Sequence, residues 1–229
     1  KDLVLTEMLS PSDEIDKRIL SDVLLMVQNT NTIELIKYWI SQTTKIEKGE
    51  ERFLVIIGRV AIALYKVNAH RRNYHRIKDQ IIKKLSTDPN NKKTNIDILF
   101  NKQDAFVEIE GFFTKYKTTL DLLAQSLKPI YGVYHPTWSR GKIDGYRGKE
   151  MVNSLNNLSQ TVKPHTLDLQ ALIKRNATNL DRQVFLRDQF VHYEEMKEFQ
   201  GFRYSVKNKL VYPPIVLINQ HESAFVHEY

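Results

Sequence analysis

Arg187, Asp188 and His192 place an always-charged cation, a carboxylate and an imidazole within Phe185-Leu186-Arg187-Asp188-Gln189-Phe190-Val191-His192-Tyr193. Phe185, Leu186, Phe190 and Val191 give that stretch an apolar frame, where a cation without a partner is costly. Asp188 and His192 are four apart, so on a helix they share a face. A carboxylate there can hold one imidazole nitrogen and fix the tautomer. Arg187 and His192 are five apart, so a straight helix separates them by roughly 140° and about 7.5 Å of rise. Gripping one phosphate with both requires an irregular helix or a second copy of the chain across a two-fold interface. Histidine is the usual general acid or base near neutral pH, and arginine clamps a phosphate oxygen that gathers charge. The pair suits metal-free cleavage of RNA. A base takes the 2′-hydroxyl proton, the oxygen attacks its own phosphate, and a 2′,3′-cyclic phosphate and a 5′-hydroxyl result. DNA lacks that nucleophile. The same residues also suit a buried Arg-Asp-His network that only orders the helices or a dimer interface.

Three other regions bear chemistry. Asn68 to Lys78 is a basic run with an aromatic inside it, and Arg71, Arg72, His75, Arg76 and Lys78 would contact phosphates. The plain reading of the same run is a solvated helix end whose Ile77, Ile81 and Leu85 continue a core stripe. His70 and His75 point in different directions, without a carboxylate cluster beside them, so no metal site is expected. Ile130 to Gly148 is a long irregular stretch rich in glycine, with Trp138, three tyrosines, Arg140 and Arg147. Such a loop could stack unpaired bases and hold phosphates, or form a lid whose aromatics pack down on the helices. Glu108, Glu110 and Asp121 could lend a carboxylate to a site, though solvation is the default for a surface helix.

The elements that must position these residues read as helices. Of 229 residues, 41% are hydrophobic and 27% charged, with only eight glycines and seven prolines, a folded and helix-favouring composition. The net charge of +7 suggests an anionic partner, nucleic acid first. There is no cysteine, which excludes disulfides, thiolate metal sites and cysteine nucleophiles. A first helix is expected from Ser10 along Ile15, Ile19, Val23 and Val27, and a short second one through Tyr38-Trp39-Ile40. A very long one is expected from about Arg52 to Leu85, apolar nearly all round between Phe53 and Tyr65. Thr87 to Asn95 reads as a loop. Phe106, Ile109, Phe113, Tyr116, Leu120, Leu123 and Leu127 then mark the cleanest helix, ended by Pro129. After Lys149 the pattern is helical, split at Pro164 and broken again at Asn179-Leu180-Asp181. The last helix would carry Val184 to Phe199 and stop at Gly201. Alternation in Phe202, Tyr204 and Val206 predicts a β-hairpin turning at Lys207-Asn208, with Ile215 to Ile218 a further strand.

At Arg187-Asp188-Gln189-Phe190-Val191-His192 the chain resembles the HEPN superfamily, whose motif is an Arg, often a polar residue after it, and a His a few residues on. Tyr193 is a common follower. The helix from Glu110 through Phe113 to Leu120-Asp121 looks like the long helix that precedes the motif in that family. The resemblance implies a mainly α fold, an up-down bundle of five to seven helices over residues 1–200, which the insert loop at 130–148 extends beyond the family's minimal form. Residues 201–229 would add a small C-terminal β-hairpin extension of the same domain. It implies a metal-independent endoribonuclease acting as a homodimer, a toxin or antiviral defence effector, with Arg187 and His192 catalytic and Asp188 orienting. RNA would be held by the basic run together with Arg140, Arg147 and Tyr193. A non-catalytic module binding RNA or a partner protein is the alternative. No cofactor is expected, and an antitoxin or regulatory protein would be a further partner. The residues from Lys1 to Glu7 make no signal peptide. No uninterrupted apolar run approaches the roughly 18 residues a bilayer demands. The expected setting is therefore the cytoplasm, away from membranes.

Overall fold

The computed structural model describes residues 18, 21, 29–43, 48–87, 92–138, 146–192, 196–200, 203–205, 210–212, 215–218 and 222–225. The first expected helix, Ser10 to Val27, lies outside them apart from two positions. The chain is mainly helical: α1 Thr30–Thr43, α2 Gly49–Thr87, α3 Lys92–Gln125, α4 Leu127–Tyr131, α5 Lys149–Asn156, a short 3-10 turn Lys163–Thr166, and α6 Leu167–His192. Two compact units result, residues 1–66 with 115–182 and residues 67–114 with 183–229. The division falls inside α2, α3 and α6.

The first unit is closed by small residues at its crossings. Lys48 takes a left-handed backbone (φ 56°) and starts α2 at Gly49. A side chain at Gly49 would come within 2.7 Å of Ile40 in α1 and 3.3 Å of the Pro129 carbonyl oxygen in α4, so glycine lets three elements meet. α3 stops at Gln125, before Pro129, which sits in the first turn of α4, where its missing N–H breaks no helical bond. Gly132 (φ 71°) caps α4, its N–H donating to the Lys128 carbonyl oxygen at 2.9 Å.

The described part of the irregular stretch is anchored at Trp138, while Tyr134, Pro136 and Thr137 are exposed. Trp138 is buried, its backbone N–H donates to Asp121 Oδ1 at 2.7 Å, and Gln125 donates to the Pro136 carbonyl oxygen. Lys117 also bonds Asp121, so this carboxylate is a strut within the unit. Tyr134 stays exposed, with the Lys128 ammonium 4.8 Å from its ring centre.

Pro164 does split the helical pattern, in the 3-10 turn that precedes α6. The break expected at Asn179-Leu180-Asp181 is absent: α6 is continuous. Gln170, Ile173, Ala177, Leu180 and Val184 form one buried stripe at helical spacing, so burial of Leu180 and Val184 carries the helix through two polar neighbours. Val55 and Ile62 in α2 are exposed, whereas Val60, Ala61 and Ala63 are buried, so the Phe53 to Tyr65 segment is not covered all round. The span Gly49–Lys84 is long and apolar enough to cross a membrane by length and composition, although Arg59 and Lys66 interrupt every continuous apolar run.

In the second unit, Val67, Tyr74, Ile77 and Ile81 of α2 and Ala105, Ile109 and Phe113 of α3 are buried. Phe113 meets Phe112 edge to face at 5.1 Å. Burying a side chain such as Phe113 stabilises the fold by about 1.5–3 kcal/mol. α3 begins at Lys92, within the expected loop, and α6 ends at His192, short of Phe199. The strands that follow are β1 Met196–Gln200, β2 Arg203–Ser205, β3 Leu210–Tyr212, β4 Ile215–Ile218 and β5 Glu222–Phe225. β4 lies between β1 and β5, antiparallel to both, and β2 pairs antiparallel with β3, Tyr204 opposite Val211.

Candidate functional site

The second half of α2 presents two faces. Val67, Tyr74, Ile77 and Ile81 turn into the core, and Arg76, Asp79 and Gln80 face solvent. Between them, His70, Arg71 and Asn73 are half-buried along α3. His70 Nδ1 lies 2.7 Å from Glu108 Oε2, and Asn73 donates from Nδ2 to Glu108 Oε1 at 3.2 Å. The carboxylate thus holds both partners with separate oxygens. With Nδ1–H donating to Glu108, the unshared ring nitrogen of His70 is Nε2.

Gly111 makes that arrangement possible. A Cβ there would come within 2.4 Å of His70 Cε1 and 2.8 Å of Nε2. The imidazole therefore lies against the bare backbone of α3. His70, Arg71, Tyr74, Glu108 and Phe112 line a small recess floored by Ile109 and Phe113, with about 20 Å³ of water-accessible space. Tyr74 is 5% exposed, and its hydroxyl meets no acceptor among the described residues. Burial pushes its pKa up to about 12. Arg71 Nε is enclosed and likewise finds no acceptor among them.

Each of the remaining described residues expected to act has its own local setting. His75 sits 3.3 Å from Lys78 Nζ, and burial first, then the charges of Lys78 and Arg71, hold its pKa below the ordinary value. Arg72 is half-buried and Arg76 exposed. Arg147 Nε faces Asp181 Oδ1 at 3.3 Å in the first unit, with only 14% of the arginine side chain exposed. Arg187 Nη1 donates to the adjacent Asp188 at 2.9 Å, and Arg187 Nε has no acceptor among the described residues. Arg140, Tyr193 and the side chain of His192 lie outside the described residues, as therefore does the expected Asp188–His192 pair. Among the described residues, no three His, Asp or Glu side chains converge as metal ligands.

The cluster that sequence reasoning missed is His70 with Asn73, Tyr74 and Glu108. One signal was present. Gly111 interrupts an otherwise well-formed helix between Glu110 and Phe112, and an isolated helical glycine often marks a close approach. Comparison with family models, with curated proteins and with solved structures found no match.

Proposed function

We propose that the protein is a metal-independent endoribonuclease of HEPN type, acting as a cytoplasmic homodimer, a toxin or antiviral defence effector. Arg187 and His192 are its catalytic pair and Asp188 positions the arginine. The supporting observation is the setting of Arg187. Its side chain is 29% exposed, one nitrogen is held by Asp188 at 2.9 Å, and Nε is left over. An arginine fixed at one edge with donors to spare is preorganised to take a phosphate oxygen. In this reading His192 takes the 2′-hydroxyl proton and the 2′-oxygen attacks phosphorus. Arg187 steadies the gathering charge, and the P–O5′ bond breaks as the 5′-oxygen takes a proton from water. Because Arg187 and His192 diverge along one helix, the second protomer completes each site. The basic side chains Arg71, Arg72, Arg76 and Lys78 and the +7 net charge steer RNA.

The test is cleavage of total RNA in EDTA with mapped ends. Cyclic-phosphate and 5′-hydroxyl ends should appear, and each of Arg187→Ala and His192→Ala should reduce them by about 100-fold or more. Cleavage that persists in both variants overturns the assignment.

A non-catalytic module that binds RNA or a partner protein is favoured by one observation: Asp188 lies directly on Arg187 and offsets its charge. It predicts salt-sensitive RNA binding with no new ends, and a His192→Ala variant that loses stability and nothing else.

A further inference from the structure

We infer that the outer face of α2 between Arg52 and Lys66 is a docking surface for an acidic helix of a partner protein. This face lies wholly within the first compact unit and is independent of the RNA chemistry proposed above.

Two rows run along the face at the same seven-residue interval. Val55 and Ile62 form the apolar row, 54% and 44% exposed. Arg52, Arg59 and Lys66 form the basic row, and all three are exposed. At 100° per residue the five positions fall within an arc of about 80°. Gly58 stands between Val55 and Ile62, three residues from one and four from the other, so it notches the apolar row. A Cβ at Gly58 would meet nothing within 4 Å. Glycine inside a helix is less stable than alanine, and no contact at that position offsets the loss. A second helix whose backbone comes close over the notch would supply the reason for it.

Charge decides the sign of the partner. No Asp or Glu occurs between Arg52 and Lys78, so none of the three cations has an acidic neighbour one turn away on its own helix. Seven residues are two turns, a rise of about 10.5 Å. A helix with its own heptad repeat meets that spacing turn for turn, its apolar side chains between Val55 and Ile62 and its carboxylates against the basic row. A nucleic-acid backbone would use the cations and leave the apolar row idle. A bilayer needs a wider apolar face than two side chains. A second copy of α2 would set cations against cations, and like charges facing each other oppose association.

The experiment uses the full chain and a labelled three-heptad peptide with leucine at one core position of each heptad and glutamate at the other. A control peptide carries lysine for glutamate. By fluorescence anisotropy the glutamate peptide should bind about tenfold more tightly than the control, or better. Arg59→Glu together with Lys66→Glu should reverse that preference. Gly58→Leu should weaken the glutamate peptide about tenfold by filling the notch. Its melting temperature should equal or exceed the parent's, because the new side chain enters open space, and this separates lost docking from lost folding. Arg76→Gln, outside the face, should change neither. No preference between the peptides, or a preference that survives Gly58→Leu and the double charge reversal, overturns the inference. A short RNA and phosphatidylserine vesicles are run with the same variants. If their binding falls with both substitutions and the peptide's does not, the face belongs to nucleic acid or lipid, and the inference fails. It fails also if Gly58→Leu abolishes self-association in sedimentation, which gives the face to a second copy. RNA cleavage is scored separately, so either reading can fail alone.

Discussion

The His70 imidazole occupies the space that a side chain at position 111 would need, with Cε1 2.4 Å from where the Cβ would stand. Helix propensity alone would make Gly111→Ala stabilising by about 1 kcal/mol. The clash should reverse the sign, because the ring is tethered to Glu108 and cannot simply swing away. A net loss of about 1–3 kcal/mol is expected in urea unfolding. In a His70→Ala background the same substitution should stabilise the protein. Additive effects in that double-mutant cycle would sink the account.

Tyr74 predicts a specific alkaline weakness. An exposed tyrosine ionises near pH 10, whereas Tyr74 in the folded chain resists until about 12. The unfolded state therefore gives up its proton first. The stability present below about pH 10 is lost as pH climbs through about 12. The gap in urea midpoint between the parent and Tyr74→Phe should widen across that window, against the parent. A gap independent of pH would show that the hydroxyl is not enclosed.

His75 predicts the opposite slope at mild acid. Burial, then Lys78 and Arg71, keep its folded pKa below the ordinary 6.5. The unfolded chain binds the proton more readily, so the contribution of His75 to stability is complete above 6.5 and fades as pH falls through the folded value. Lys78→Met should move the imidazole titration upward in a nuclear magnetic resonance experiment, while leaving it below that of a free histidine because burial is the larger cause. A titration unmoved by the substitution would rule out the proximity of Lys78 as a cause.

Arg147 and Asp181 should behave as a structural pair. Arg147→Ala or Asp181→Ala is expected to cost about 1–3 kcal/mol, and the double variant less than the sum. Because the arginine already faces a carboxylate, Arg147→Ala should leave the salt dependence of RNA binding unchanged. A salt slope lower by about one would instead mean that Arg147 contacts a phosphate.

Much of the helical framework was legible because it repeats every three to four residues. Ile109, Phe113 and Leu120 betray α3, and Gln170 to Val184 would betray α6 if Asn179 and Asp181 were not weighed as a break. Those two polar residues misled because a local cap signal is weak against the burial of Leu180 and Val184. The end of α6 was overshot because Phe199 continues an apolar rhythm that also suits a strand. The recess was legible only through Gly111, an isolated glycine within α3. His70 and Glu108 stand 38 positions apart, and no local pattern announces a contact of that range. Arg71 was singled out for its charge, yet what distinguishes it is an enclosed nitrogen, which only the fold reveals.

The burial of Trp138 has a practical corollary. The chain has two tryptophans, Trp39 and Trp138, and both belong to the first compact unit. Indole fluorescence is therefore a private optical channel for that unit, and the second is visible only through its tyrosines. If denaturant moves the emission maximum and the tyrosine absorbance together, the shared helices transmit unfolding as a single cooperative event. If the two signals part company, the boundary inside α2, α3 and α6 is a real seam in the energy landscape.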